Sequence, residues 1–163
     1  MAHADPSNQR LKRLRVALEE AGLDGIYVSS PVDDVHHHHS ANRIYLTGFT
    51  GSTGHVVVSR DEAFLAVDGR YSAQARRESE PNGFIVLDTK GPQASWLPEL
   101  LAVAGLQSKR LGLSKADLSY GAFVSLQEAV GRMPVADRPT LTPASPLIER
   151  LRSKKDAREL AVL

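Results

Sequence analysis

Histidine and carboxylate side chains concentrate at one place, where Asp33 and Asp34 are followed by His36, His37, His38 and His39. Neutral imidazole with carboxylate suits Zn²⁺, Ni²⁺ or Co²⁺. Adjacent residues cannot all aim at one ion from a rigid element, and a built site draws separated ligands that further hydrogen bonds orient. The run is therefore a candidate metal site on one reading and a flexible, adventitiously chelating loop on the other. An engineered tag fits an internal position less naturally.

A second concentration is Tyr45-Leu46-Thr47-Gly48-Phe49-Thr50-Gly51-Ser52-Thr53-Gly54-His55. Its glycines, spaced G-x-x-G-x-x-G, match neither the dinucleotide fingerprint nor a P-loop, which ends in Gly-Lys-Ser or Gly-Lys-Thr. Ser52, His55 and Asp68 are the residue types of a hydrolase triad. Gly51-Ser52-Thr53-Gly54, however, lacks the G-x-S-x-G order that exposes a nucleophile, and H-E-x-x-H is absent. The glycines instead predict a loop whose backbone turns sharply or is closely approached, the kind of segment on which function sits. Farther on, Asp68-Gly69-Arg70-Tyr71 reads as a strand-to-helix turn capped by Asp68, with Tyr71 packed inward. The sharper alternative is that Arg70 offers its guanidinium to a carboxylate of a substrate or a neighbouring chain.

The elements that must position these residues follow from periodicity. Leu11, Leu14, Leu18 and Ala21 mark one face of a first helix. Residues 25–29 read as a buried strand, 43–46 as a second strand, and 55–59 with 63–67 as an antiparallel hairpin. A short helix follows Asp68, then a strand at 84–87, a helix carrying Leu97, Leu100, Leu101 and Ala104, a strand at 109–113, and a helix capped by Ser119. The alternation predicts an α/β domain, and the hairpin makes its β-sheet mixed, with flanking helices. Pro134, Pro139, Pro143 and Pro146 give linker or edge-strand composition. A last helical pattern then opens after Ser153 and Asp156, which approximate a capping box.

Composition excludes several classes. With 163 residues, 42% hydrophobic and 24% charged, the chain suits one ordinary domain. A formal net charge of +1 gives no reason to expect a nucleic-acid partner. No cysteine is present, so disulfides and thiolate chemistry are out. The expectation is no signal peptide, no membrane-spanning helix and a cytoplasmic location.

Three separated motifs agree with one family. Tyr45-Leu46-Thr47-Gly48-Phe49-Thr50-Gly51-Ser52, then Asp68-Gly69-Arg70-Tyr71 with Gln74-Ala75, then Leu147-Ile148-Glu149-Arg150-Leu151-Arg152 with Lys155 and Glu159-Leu160, resemble the amino-terminal domain of the creatinase, prolidase and aminopeptidase P family. The match runs in order over nearly the whole chain from Arg10. It departs from the family at residues 32–41, normally shorter and not histidine-rich.

The resemblance implies a mixed-sheet α/β domain over residues 1–146 and, over 147–163, the start of a linker helix toward a metallopeptidase domain of "pita-bread" fold. There two divalent metals, commonly Mn²⁺ or Co²⁺, activate a water that attacks a peptide bond, often one to a proline nitrogen. No catalytic ligand carries over to this chain, and no cofactor is expected in it. The amino-terminal domain in such proteins joins oligomer contacts and places a loop over a partner subunit's active site. By resemblance, Phe49, Thr50, Gly51, Ser52, Thr53, Gly54 and His55 form that substrate-access loop, with Arg70 beside it. The expected function is that of a non-catalytic domain of an Xaa-Pro dipeptidase or aminopeptidase P, with a homo-oligomer and the parent's peptide substrate as partners. The alternatives are a free-standing ligand- or metal-binding module using the histidine run, or the same domain of a creatinase-like or peptidase-inactive relative.

Overall fold

The leucines of the first periodic segment, Leu11, Leu14 and Leu18, are the buried face of helix α1 (Pro6–Glu20) in a computed structural model that describes residues 6–29, 41–144 and 146–162. Helix α1 lies over a six-stranded sheet of order β4-β3-β2-β1-β5-β6. The strands are β1 (Gly25–Ser29), β2 (His55–Ser59), β3 (Ala63–Asp68), β4 (Ile85–Thr89), β5 (Arg110–Ser114) and β6 (Thr140–Ala144). Strand β2 runs antiparallel to both β1 and β3, and the other pairings are parallel, so the sheet is mixed as expected.

Period-two geometry lets one strand feed two cores. Ile26, Val28, Val56, Val58 and Leu65 pack with Leu14, Leu46, Phe49, Ala75 and Ile148 on one face. That face is covered by α1, α2 (Ala41–Thr47), α3 (Ser72–Ser79) and α6 (Leu147–Ser153). Tyr27, Val57, Phe64 and Ala66 meet Leu97, Leu101, Leu126 and Ala129 of α4 (Gln93–Val103) and α5 (Tyr120–Gly131) on the other. Burial on both faces explains why the central strands are apolar runs without a polar alternate. Pro143 sits in β6, an edge strand, as the proline-rich composition allows. Among the described residues no helix is long and apolar enough to cross a membrane.

Two expectations need correction. Residues 43–46 are not a strand but the body of α2. Asn42, Arg43, Tyr45, Leu46 and Thr47 are all buried, so the helix is covered almost all round and shows no amphipathic period to distinguish it from a buried strand. The capping box at the end of the chain is also shifted. The Asp156 carboxylate accepts from the Glu159 amide at 2.9 Å and the Glu159 carboxylate accepts from the Asp156 amide at 2.9 Å, opening α7 (Ala157–Val162). Ser153 instead donates to the Arg150 carbonyl, closing α6. Asp156 also pairs with Arg10 at 2.6 Å, and Arg10 donates to the Tyr45 carbonyl, so the start of α7 is tied to α1 and α2.

Because β1, β3, β4, β5 and β6 run the same way, Ser29, Asp68, Thr89, Ser114 and Ala144 end on one edge of the sheet. His55, which opens the opposed strand β2, lies there too, in register with Ser29 and Ala66. In open α/β sheets the carboxyl edge is where ligands bind.

Candidate functional site

The glycine-rich stretch joins helix α2 to strand β2 along this edge. Gly48, at φ 77°, ends α2 and donates its N–H to the Ile44 carbonyl at 2.8 Å. Thr47 fixes the same turn: its hydroxyl donates to the Arg43 carbonyl at 2.8 Å and accepts from the Phe49 amide at 3.0 Å. Asn82 donates to the Thr47 carbonyl at 2.7 Å, seating the turn on the end of α3.

The next turn is built around Phe49 and Arg43, both fully buried. The Phe49 ring stands edge-on to Tyr71 at 5.9 Å, and the Arg43 guanidinium lies 5.1 Å from its centroid. Arg43 donates to the Gly51 carbonyl. Burial pulls the Arg43 pKa down to about 10, with Asp117 and then Tyr71 opposing the fall, so the side chain stays cationic at neutral pH. A Cβ on Gly51 would fall 2.2 Å from Cζ of Phe49, so glycine is required here by close approach. Gly51→Ala is expected to displace the Phe49 ring and destabilise the domain by about 2 kcal/mol. Urea unfolding followed by circular dichroism checks this, and a loss below about 0.5 kcal/mol would mean the ring has room to move.

The outer surface of the stretch is small and polar. Thr50 donates both its amide and its hydroxyl to Glu78, each at 3.0 Å, and Gln74 donates to the Thr50 hydroxyl at 3.1 Å. Burial works against the charge on Glu78, but the bonds from Thr50 and Gln74 outweigh it and hold the carboxyl below its ordinary range. Ser52 shares a 2.5 Å hydrogen bond with the Tyr71 hydroxyl.

Of the residues singled out in the sequence, Thr50, Ser52 and Arg70 are exposed, Thr53 and His55 half-buried, and Phe49, Gly51 and Gly54 buried. Arg70 follows β3 in a 3₁₀ turn (Gly69–Tyr71) that Asp68 caps. Its Nε and Nη2 donate to the two Asp68 oxygens at 3.1 and 3.0 Å, yet its side chain remains 80% exposed. Hydrogen bonding to Arg70 lowers the Asp68 pKa. Ser52, His55 and Asp68 are not brought together as a triad: Ser52 bonds Tyr71, His55 bonds Tyr27 and Asp68 bonds Arg70.

Two polar clusters on the same edge carry no sequence pattern of their own. Asn42 donates to Asp117 at 2.7 Å and to Glu149 at 2.8 Å, and accepts from Arg152 at 3.0 Å, while Ser114 donates to Asp117 at 2.7 Å. These bonds tie α2, the end of β5 and α6 into one support. In the second cluster His55 stacks on Tyr27 at 6.0 Å and meets the edge of Trp96 at 5.1 Å. The Tyr27 hydroxyl lies 2.7 Å from His55 Nδ1 and accepts from Gln93 at 2.8 Å. Burial, then the charge of Arg43, holds His55 down at about 4, and burial pushes Tyr27 up to about 12. Spacing could not have joined Tyr27, His55, Gln93 and Trp96, which come from β1, β2 and α4.

His36, His37, His38 and His39 lie outside the described residues. Among the described residues no three His, Asp or Glu side chains come together as a metal site.

The geometry agrees with comparisons to known proteins. The chain is 29% identical over 154 residues to the uncharacterized peptidase YqhT of Bacillus subtilis, covering 94% of this chain and 38% of that protein, so it spans well under half the length of that relative. It superposes on an Xaa-Pro dipeptidase from Bacillus anthracis with a TM-score of 0.75 and 28% identity, over 96% of this chain and 39% of that one. It also superposes on the N-terminal domain of the cytoplasmic peptidase PepQ from Mycobacterium tuberculosis, with a TM-score of 0.68 and 28% identity, over 89% of this chain and 99% of that domain. The family model for the creatinase/prolidase N-terminal domain matches residues 10–154, and the chain belongs to that family.

Proposed function

We propose that this chain is the non-catalytic N-terminal domain of an Xaa-Pro dipeptidase or aminopeptidase P, contributing to oligomer assembly and substrate access. The observation that carries the reading is the build of the stretch from Phe49 to His55: Thr50 and Ser52 are exposed on a base of Phe49, Gly51 and Gly54 that is locked beneath them. A surface so held keeps its shape when a peptide passes. With Arg70 beside it, it serves as a wall of the route to a partner subunit's active site in a homo-oligomer.

In this reading residues 147–163 lead toward a metallopeptidase domain, beginning with α6, which still packs on the core of this one. The hydrolytic chemistry, on two divalent metals such as Mn²⁺ or Co²⁺, belongs to that second domain. The described residues offer no matching donor set, and no step of the reaction is assigned to them. The cytoplasm is the proposed location, as for the PepQ relative.

The test has two arms. This chain alone, supplied with Mn²⁺ or Co²⁺, is expected to cleave no Xaa-Pro dipeptide or tripeptide, and metal-dependent turnover would refute the non-catalytic assignment. In the longer protein, Arg70→Ala is expected to raise KM about 3–10-fold with kcat nearly unchanged, because a lost ground-state contact appears in KM. An unchanged KM removes Arg70 from the access route.

A further inference from the structure

The two lateral edges of the sheet are not alike. Alternate residues of an edge strand turn both backbone N–H and C=O away from the sheet, where a further strand can bond them. At the β6 edge Pro143 has no N–H to offer. Strand β4, at the opposite edge, contains no proline, and its only backbone partner among the described residues is β3. Ile85 and Leu87 share the face of β4 that packs toward α4, and Ile85 is 48% exposed. On that face β4 and α4 border an open groove of about 250 Å³ lined by Phe64, Leu87, Trp96, Leu100 and Val103, the last 61% exposed. Asp88, Thr89 and Glu99 complete the lining. Arg76 answers Asp88 at 3.4 Å, whereas Glu99 makes no hydrogen bond or ion pair among the described residues.

We propose that the β4 edge and this groove dock an extended segment of a partner protein. The segment adds to the sheet as a further strand, sets alternate apolar side chains into the groove and brings a Lys or Arg to Glu99. Each part of the occupant follows from what the surface leaves unmatched. A row of unpaired backbone groups calls for another strand, because a helix has already spent its own N–H and C=O groups internally. The groove lies on one face of β4, so every second residue of the added strand enters it. The unanswered carboxylate of Glu99 selects a cation. A second copy of this chain fits less well. Antiparallel pairing of β4 with itself, centred on Leu87, sets Asp88 opposite Val86 of the copy, so the two Asp88 carboxylates share one face on diagonal rungs. Strand β4 also carries no Lys or Arg for Glu99. The proposal is independent of the peptidase reading, since none of these residues belongs to the stretch from Phe49 to His55.

The probe is the acetylated and amidated peptide Lys-Thr-Val-Thr-Leu-Thr-Lys, which as a strand carries its apolar residues and lysines on one face and its threonines on the other. Titrated into the ¹⁵N-labelled chain, it is expected to shift the amides of residues 85–89 and 96–103 and to saturate with a Kd of about 10–100 µM, as suits a small transient interface. Glu99→Lys should weaken binding about 5–10-fold and Val103→Ser about 3–5-fold. Both side chains are exposed, so neither change threatens the fold. Two further peptides separate strand pairing from apolar adhesion: one is N-methylated at Val and Leu, the other at the threonines. Only one of these sets of N–H groups can face β4, so the two affinities should differ by about tenfold or more. Equal affinities, shifts confined to other parts of the chain, or no saturation by about 1 mM peptide would overturn the proposal. A dimer of the free chain in sedimentation velocity that Ile85→Lys breaks would show a second copy on this edge, and would overturn it equally.

Discussion

Arg43→Ala is expected to lower the unfolding free energy by about 3–5 kcal/mol. The guanidinium is fully buried, donates to the Gly51 carbonyl and lies over the Phe49 ring. Alanine leaves a cavity, a ring without its cation and a buried carbonyl without its donor, and each loss is of order 1–2 kcal/mol. Arg43→Met separates the contributions, since it refills the volume and removes the burial of a charge but still orphans the carbonyl; a loss of about 2 kcal/mol is expected. Urea unfolding gives the free energies, and amide exchange at Thr50 should quicken in both variants because the turn above Arg43 loses its anchor. A loss below 1 kcal/mol in the alanine variant would show that Phe49 and Gly51 hold the turn without it.

The layered α/β fold was legible because its signals are local and repeated. Leu11, Leu14 and Leu18 keep helical spacing, and Arg60-Asp61-Glu62 between two apolar runs gives the β2–β3 hairpin. Helix α2 was not legible, since Arg-Ile-Tyr-Leu reads as a strand by composition and the helix is buried on nearly every side. A signal was nevertheless present in Gly48, which stops the helix at a positive φ. The glycine-rich stretch could be located from its letters, but not which of its residues face outward. Gly51 is glycine because of the Phe49 ring, and Phe49 is buried because Arg43 and Tyr71 close over it. Those contacts join residues from α2, the loop and the turn after β3, so no spacing rule reports them. Arg43 is the clearest case, since an arginine is the last residue that composition assigns to a core.

The second large effect is on acid stability and runs through His55. Its folded pKa is held at about 4 against 6.5 for the free side chain, by burial first and the charge of Arg43 second. The folded state thus keeps His55 neutral where the unfolded chain takes up a proton, so stability is full above the unfolded value. It falls as pH drops from about 6.5 toward 4 and levels off below that. Two and a half units correspond to about 3 kcal/mol, of which about 2–3 kcal/mol should be lost between pH 7.5 and pH 4.5. Carboxylates such as Asp68 and Asp88, whose pKa values are lowered by hydrogen bonds from Arg70 and Ser72, add their own acid dependence at lower pH. The His55→Gln variant therefore serves as the reference: measured in urea at both pH values, it should lose about 2–3 kcal/mol less than the parent chain. Equal losses in the two proteins would mean that His55 takes up its proton as readily within the fold as in the unfolded chain. Unequal losses of the expected size would show that the ring packed against Tyr27 and Trp96 is held neutral by the fold.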